Sequence, residues 1–236
     1  MTSVFSARGV SVSFGGVRAL TGVDLDIEPG QLVGLIGPNG AGKTTFIDAV
    51  TGFVRYQGDV RLGGASLNGL PPHARARRGL ARTWQTVELF DDLSVRENLT
   101  VAARGGGAAP VDGELRLLGL EAVADAMPWE LSQAERKRAG IGRALVARPR
   151  LLCLDEPAAG LDTRQSRELG RLLPGIASSG TAVLLVDHDM GLVLSSCDWV
   201  VVLDSGSVIA QGPPAQVRGD ERVIAAYLGH AAAGAA

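Results

Sequence analysis

The chain has 236 residues, 46% of them hydrophobic, which is enough to bury the core of one large α/β domain or two small ones. Its formal net charge is −2 at pH 7, and this balance argues against nucleic acid as a partner. The basic clusters at residues 75–82 and 136–143 are typical of solvated faces. The longest apolar runs fall far short of the roughly 20 residues that a membrane-spanning helix needs. We therefore expect any role at a membrane to depend on a partner.

The two cysteines, Cys153 and Cys197, lie far apart and do not have the spacing of metal ligands. Cys153 falls in an apolar run, where we expect it to behave as a small core residue. This cysteine usage indicates a reducing compartment.

Two segments near the start of the chain, residues 10–14 and 23–27, alternate apolar and polar residues as half-buried strands do. Gly15 and Gly16 predict the turn between them. Phe14 ends the first strand. A lone aromatic residue on a strand is more often part of the core, but this ring is also a candidate to stack on a nucleobase.

Residues 37–45, Gly-Pro-Asn-Gly-Ala-Gly-Lys-Thr-Thr, fit the phosphate-binding pattern G-x-x-x-x-G-K-[ST]. They follow the apolar run Leu32–Ile36 and precede a segment of helical character, which is the order of strand, loop and helix that the pattern requires. The glycines allow the backbone to turn tightly and point its N–H groups inward, and the helix start adds partial positive charge. We predict that Lys43 reaches the β- and γ-phosphates and that the Thr44 hydroxyl binds Mg²⁺.

The next part of the chain predicts two short strands within residues 59–67, a short basic helix at residues 71–78 and a further strand at residues 80–83. This last strand leads into Trp84 and Gln85.

Helical character dominates the segment that follows. Ser94 and Glu97 have the spacing of a capping box that opens a helix. The glycine-rich residues 105–110 predict a flexible link, and residues 112–118 and 131–147 are again helical in character. We therefore expect residues 87–148 to form a helical insertion between the strands of an α/β lobe.

Two carboxylates follow the apolar run at residues 151–154. Open parallel sheets bind ligands at the carboxyl ends of their strands, so Asp155 is expected beside the Mg²⁺ on Thr44. Glu156, the next residue, is a candidate general base for an attacking water. A later buried strand ends before His188, which places this histidine at the same edge of the sheet, within reach of the γ-phosphate.

These motifs, in this order, resemble an ATP-binding cassette (ABC) ATPase over essentially the whole chain. Residues 37–45 match the family's Walker A motif, and residues 151–156 match its Walker B motif. Gln85 falls at the place of the Q-loop glutamine, Asp162 lies in the D-loop, and His188 matches the switch histidine.

The resemblance implies the α/β fold of a P-loop NTPase, with a RecA-like lobe, an antiparallel β subdomain and an inserted α-helical subdomain. A single ABC ATPase domain would then fill residues 1–236. Its nucleotide-binding lobe would comprise residues 1–86 and 149–213, the helical subdomain residues 87–148, and the C-terminal helix and tail residues 214–236.

The resemblance also implies a site for ATP and Mg²⁺. Catalysis would rest on Glu156, His188 and Lys43, and Mg²⁺ would be held by Thr44, Gln85 and Asp155. ATP would contact Phe14, Gly37, Pro38, Asn39, Gly40, Ala41, Gly42, Lys43, Thr44, Thr45 and Gln85.

The family's signature motif is occupied here by Ser132, Gln133, Ala134 and Glu135. In the head-to-tail dimer of the family, this motif completes the ATP site of the other subunit. Relatives have at least one glycine after the Leu-Ser pair, and only glycine allows close approach and positive φ freely. We therefore expect a heterodimer with a second ABC ATPase subunit and two unequal ATP sites.

Local sequences at residues 79–85, 93–98, 187–190 and 225–229 resemble the ATPase subunits of branched-chain amino-acid importers. That resemblance implies a peripheral protein on the cytoplasmic face of the cell membrane, held there by transmembrane permease subunits. An extracytoplasmic solute-binding protein would be an indirect partner. The transported solute would be a branched-chain amino acid or a related small polar solute.

Three other functions can be compared with the same sequence features. A P-loop GTPase needs an Asn-Lys-x-Asp segment, which the chain's two lysines, Lys43 and Lys137, do not provide. A cassette protein acting on ribosomes or DNA would be expected to have tandem cassettes, a long coiled-coil insertion or a basic extension. A regulatory subunit that binds ATP with little turnover remains an alternative because of the altered signature.

Overall fold

The computed structural model describes residues 3–86, 88–103 and 108–233. In chain order, the strands are β1 (Phe5–Phe14), β2 (Val17–Ile27), β3 (Leu32–Ile36), β4 (Gln57–Leu62), β5 (Ala65–Ser66), β6 (Leu80–Arg82), β7 (Leu151–Asp155), β8 (Ala182–Val186), β9 (Trp199–Asp204) and β10 (Ser207–Gly212). The α-helices are α1 (Lys43–Thr51), α2 (Pro72–Arg77), α3 (Val95–Thr100), α4 (Ala108–Leu117), α5 (Gln133–Leu145), α6 (Thr163–Ser178), α7 (Met190–Ser196), α8 (Pro214–Arg218) and α9 (Glu221–Ala233). This mixture of strands and helices confirms the predicted α/β class.

The larger sheet has six strands in the order β10-β9-β3-β8-β7-β6. The pairs that join β9, β3, β8, β7 and β6 are parallel, and β10 alone runs antiparallel, against β9. The carboxyl ends of β3, β7 and β8 therefore lie at one edge of the sheet, where open α/β sheets bind ligands. The smaller sheet is antiparallel, in the order β2-β1-β4-β5.

Every residue of β3, β7 and β8 is buried, because both faces of the larger sheet are covered. Strand β3 shows the division: Leu32 and Ile36 pack in a core with the helices α3 to α7, whereas Val33 and Leu35 pack in a second core with α1 and the antiparallel sheet. Cys153 is fully buried in the second core, as predicted.

Helices α3, α4 and α5 lie in the chain between β6 and β7, which are neighbours in the sheet. Helix α3 begins with the predicted capping box, in which the Ser94 Oγ accepts from the Glu97 N–H and the Glu97 carboxylate accepts from the Ser94 N–H. Residues 105–107 of the predicted flexible link lie outside the described residues.

The expectation that both basic clusters are solvated is wrong for three of their members. Arg75 is 3% exposed, and its guanidinium donates to the carbonyls of Ala49 and Val50 in the last turn of α1. Lys137 and the Arg82 side chain are also buried. Each of these cations has polar partners inside the fold, and that pairing is what makes their burial tolerable.

Helix α9 extends to Ala233, so the first part of the predicted tail is helical, and residues 234–236 lie outside the described residues. None of the helices within the described ranges is long and apolar enough to cross a membrane.

Candidate nucleotide-binding site

The phosphate loop lies between β3 and α1, in the predicted order of strand, loop and helix. Gly37 is packed so closely that an added Cβ would lie 2.1 Å from the Leu203 carbonyl oxygen. Gly42 has a φ of +103°, and a Cβ there would lie 2.8 Å from the Ala19 carbonyl oxygen. At both positions only glycine fits, because the loop is pressed against β2 and the end of β9.

Lys43 is the first residue of α1, and only 6% of it is exposed. Its Nζ donates to the carbonyl oxygens of Gly37 and Pro38, at 2.6 and 3.0 Å. The lysine side chain therefore bends back over the phosphate loop and brings its charge to the place where we predict that phosphate binds. Burial lowers the pKa of Lys43, and the nearby carboxylates of Glu156 and Asp155 oppose that change.

Strand β7 delivers Asp155 and Glu156 to the same edge of the sheet. Asp155 is buried, and its Oδ2 accepts a hydrogen bond from an Arg82 terminal nitrogen at 2.8 Å. Glu156 has a left-handed φ of +46°, and its N–H donates to the Val186 carbonyl oxygen at 2.7 Å. Such a backbone costs roughly 1–3 kcal/mol for a residue other than glycine and is frequent at functional sites.

The Glu156 carboxylate lies between two other predicted site residues. Gln85 Nε2 donates to Glu156 Oε2 at 2.9 Å, and His188 Nδ1 lies 3.8 Å from the same oxygen. His188 Nδ1 is also 3.6 Å from Oδ1 of Asp187, which is fully buried at the end of β8. The fold thus brings together a carboxylate, an amide and an imidazole from three separate parts of the chain.

The predicted magnesium ligands have suitable chemistry. Mg²⁺ prefers oxygen ligands and is usually held by one or two carboxylates together with phosphates and water. Thr44 offers a hydroxyl in the first turn of α1, and Asp155 offers the oxygen that Arg82 does not use. In the described ranges no three His, Cys, Asp or Glu residues come together as a metal cluster.

The signature residues form the start of α5. The Ser132 Oγ accepts from the Glu135 N–H, and the Glu135 carboxylate accepts from the Ser132 N–H, which is a complete capping box. Gln133 and Ala134 lie in the first turn with ordinary helical backbone, so the expected strain from positive φ is wrong. The Gln133 amide instead packs on Gly160, where an added Cβ would lie 2.4 Å from the Gln133 Nε2.

Two other predicted site residues, Asp162 and Phe14, lie at the ends of secondary-structure elements. Asp162 caps α6, with its carboxylate accepting from the Gln165 N–H at 2.8 Å. Phe14 ends β1 and is 52% exposed, so its ring is not part of the core. This exposure agrees with the stacking alternative.

Sequence reasoning missed two buried cations beside the site. Arg82 binds Asp155, and Lys137 donates through its Nζ to the Gln85 carbonyl oxygen at 3.0 Å. The available signal for Arg82 was a lone charge within a short predicted strand. For Lys137 it was the rarity of lysine in this chain.

A groove of about 1380 Å³ lies beside the Q-loop, between the larger sheet and the helices α3 and α5. Trp84 and Phe90 line it, and each is 52% exposed. The Arg143 guanidinium lies 5.6 Å from the centre of the Phe90 ring. The groove therefore presents aromatic and cationic side chains next to the residue that contacts Glu156.

Comparison with known proteins gives a consistent result. A family described as "ABC transporter" matches residues 20–159, and one described as "Branched-chain amino acid ATP-binding cassette transporter" matches residues 207–233. The high-affinity branched-chain amino acid transport ATP-binding proteins BraF of Pseudomonas aeruginosa and LivG of Escherichia coli are 38% and 37% identical to this chain. Each alignment covers 97% of the chain and 98% of the relative.

A third relative serves a different transport system: the lipopolysaccharide export system ATP-binding protein LptB of Escherichia coli is 35% identical, over 96% of the chain and 98% of its own length. Among solved structures, the ADP conformation of an ATP-binding cassette of an ABC transporter has a TM-score of 0.87 at 27% identity. It covers 97% of this chain and 100% of the other. The chain therefore belongs to the ABC transporter family, as an ATP-binding cassette with ATPase activity.

Proposed function

We propose that the chain binds Mg-ATP through residues 37–45 and hydrolyses it with Glu156 as the general base. The observation that carries this proposal is the Glu156 carboxylate at the ligand-binding edge of the sheet, where it accepts a hydrogen bond from Gln85 and lies 3.8 Å from His188 Nδ1. A carboxylate in that place, beside a loop that can bind phosphate, is suited to remove a proton from water.

The roles of the neighbouring residues follow from their contacts. Gln85 and His188 both approach Oε2 of Glu156, so we assign the proton of the attacking water to Oε1. Lys43 leaves its two loop carbonyls to meet the phosphates, and its charge stabilises the negative charge that develops there. Mg²⁺, when bound to Thr44 and Asp155, supplies further positive charge. Gln85 is the third proposed ligand, through its amide oxygen.

We assign the groove beside the Q-loop to transmembrane permease subunits. Exposed aromatic and arginine side chains are enriched where proteins bind one another. Trp84 lies in the groove wall directly before Gln85, so a permease segment there would act on the residue that touches Glu156. Attachment through this groove would hold the chain at the cytoplasmic face of the membrane.

The transported solute is assigned from the relatives. BraF and LivG are branched-chain amino acid transport ATP-binding proteins, and the family matched at residues 207–233 is also described as a branched-chain amino acid transporter. We therefore propose an importer of branched-chain amino acids or related small polar solutes, served by an extracytoplasmic binding protein. Lipopolysaccharide export is the second candidate because LptB is nearly as similar.

Transport by the assembled complex separates these candidates. The chain, its permease subunits and the solute-binding protein would be reconstituted in vesicles with ATP and radiolabelled leucine, isoleucine or valine. Uptake that needs ATP and is lost with Glu156→Gln supports the importer. ATP hydrolysis that responds to lipopolysaccharide, with no uptake of any of the three amino acids, would replace it with the exporter.

We also propose a heterodimer with a second ABC ATPase subunit. In a head-to-tail pair, ATP bound to the partner would be completed by residues 132–135 of this chain. Ser132 and the free N–H groups of the first turn of α5 are suited to a phosphate. The Gln133 side chain adds bulk where relatives have glycine, which leaves that ATP site the weaker of the two.

A further inference from the structure

We propose that Arg82 is a positioning residue that fixes two of the three proposed magnesium ligands, Thr44 and Asp155, relative to each other and connects them to the permease groove through Trp84. This inference rests on the proposed Mg-ATP site. The observation behind it is a buried guanidinium on β6 that contacts both α1 and β7.

The two terminal nitrogens of Arg82 bind different carboxylates. One lies 2.5 Å from Asp48 Oδ1, and the other lies 2.8 Å from Asp155 Oδ2. The Arg82 and Asp155 side chains are only 6% and 7% exposed, whereas that of Asp48 is 27% exposed. Because the guanidinium is planar and its donors are fixed in a fork, it sets the distance between the two carboxylates.

These carboxylates belong to the two elements that carry the proposed magnesium ligands. Asp48 is on α1, the helix whose first turn contains Thr44, and Asp155 ends β7. Arg82 itself ends β6, the neighbour of β7 in the sheet. The guanidinium therefore ties the helix that offers the hydroxyl to the strand that offers the carboxylate.

The hydrogen bond from Arg82 also makes the two carboxylate oxygens of Asp155 different from each other. Oδ2 accepts from Arg82, so Oδ1 is the oxygen left to bind metal. A partner that holds one oxygen of a ligating carboxylate fixes the direction of the other, and loss of such a partner typically costs about 10- to 100-fold in metal affinity.

The outer face of Arg82 is covered by aromatic rings. Its guanidinium carbon lies 4.2 Å from the centre of the Trp84 ring and 5.9 Å from that of Phe53. The two rings pack edge to face, with centres 5.1 Å apart. The Arg82 Nε is buried and has no hydrogen-bond partner among the described residues, so the guanidinium is fixed by two ion pairs, a 3.4 Å hydrogen bond to the Thr51 Oγ1 and the ring contacts.

This arrangement gives the groove a route to the metal ligands. Trp84 is half exposed in the groove wall and lies on the guanidinium that holds Asp155. A permease segment that moves the Trp84 ring would change the cover of Arg82 and, with it, the orientation of Asp155. The connection runs through side chains in contact and does not require movement of the phosphate loop.

Binding of a fluorescent, non-hydrolysable ATP analogue to the full chain tests the proposal. The affinity would be measured first in EDTA and then as Mg²⁺ is added. For Arg82→Met we expect an affinity in EDTA within about twofold of the parental chain, and a Mg²⁺ concentration for half-maximal response that is about 10- to 100-fold higher. An unchanged Mg²⁺ response would overturn the positioning role, and so would an equal loss in EDTA.

Two further variants keep the test decisive if Arg82→Met does not fold. Arg82→Lys keeps the charge but not the fork, and we expect an intermediate rise in the Mg²⁺ requirement. Trp84→Leu changes a half-exposed ring, and we expect a rise of about two- to tenfold. If Trp84→Leu required the same Mg²⁺ concentration as the parental chain, the proposed connection to the groove would be wrong.

Arg222→Met is the matched control, because Arg222 pairs with Asp220 through two hydrogen bonds on the exposed surface. We expect it to leave both affinities unchanged, and a raised Mg²⁺ requirement there would count against a role specific to Arg82. A parental chain that does not bind the analogue under any condition would instead overturn the proposed Mg-ATP site itself. The two failures are therefore distinguishable.

Discussion

Lys43 has a double role at the scale of single residues. In the structure it donates to the carbonyls of Gly37 and Pro38, and we propose that it turns to the phosphates when ATP binds. Hydrogen bonds to charged groups contribute about 1.5–3 kcal/mol. We therefore expect Lys43→Ala to weaken ATP binding by about 10- to 100-fold, as measured by equilibrium titration with the fluorescent analogue. Lys43→Arg is the control for charge alone, and binding of the parental strength by Lys43→Ala would contradict the assigned role.

The two thiols give a prediction about pH. Burial raises the pKa of both Cys153 and Cys197 from 9.0 to about 12, so neither forms the reactive thiolate near neutral pH. We expect both to react with a thiol reagent at pH 8 only as fast as the chain unfolds, and at once in denaturant. Rapid titration of either thiol in the native chain would show that it is accessible.

The burial of the two thiols also predicts how the stability of the folded chain changes with pH. A folded-state pKa above the unfolded value means that the folded state holds the thiol proton more tightly. The stabilisation is complete below about pH 9 and is lost as the pH rises from about 9 towards 12. Alkaline unfolding curves should therefore shift to higher pH when both cysteines are replaced by alanine, once the stability lost at pH 7 is subtracted.

At the scale of elements, the two capping boxes set the starts of α3 and α5. Removing a serine cap typically costs about 1 kcal/mol. We expect Ser132→Ala and Ser94→Ala each to lower the free energy of unfolding by about that amount in urea, and Ser132→Asp to retain most of it. Ser178→Ala, in the last turn of α6, is the control and should change stability by less than about 0.5 kcal/mol. If all three alanine variants lost the same free energy of unfolding, the two capping serines would not stabilise their helices more than an ordinary surface serine does.

The strongest local patterns predicted their elements well. The largely apolar strands β3, β7 and β8, the phosphate loop and the Ser94 cap are where the sequence predicted them. Strand β1 begins earlier than predicted, because a bulge near Gly9 exposes two successive residues and interrupts the alternation. Helix α6 contains Pro174 in its interior, a residue that usually argues against a helix.

The site was less predictable than the fold, because contacts between distant residues decide it. The sequence predicted Glu156 and His188 at one sheet edge, but the hydrogen bond between Gln85 and Glu156 depends on the path of the chain after β6. The burial of Arg82 depends on Asp48 and Asp155, which are far from it in the chain. Charge alone therefore led to the wrong prediction of a solvated arginine.

At the scale of the whole molecule, the altered signature predicts unequal ATP sites in the proposed heterodimer. ATP bound by Lys43 of this chain is covered by the partner's signature, whereas ATP on the partner is covered by Gln133 and Ala134. We expect Lys43→Ala to abolish most turnover of the assembled complex, and the matching lysine change in the partner to have a smaller effect. The ATPase rates of the two variant complexes test whether the two ATP sites are unequal. A homodimer of the chain alone that hydrolyses ATP as fast as the complex would contradict it.

The most direct test of the account is the effect of Glu156→Gln on the assembled complex, because this change keeps the size of the side chain and removes its basicity. The rate of ATP hydrolysis and the occupancy of ATP would be measured on the same preparation. We predict that nucleotide is retained while turnover falls by about 100-fold or more. Hydrolysis at the parental rate would show that Glu156 is not the base.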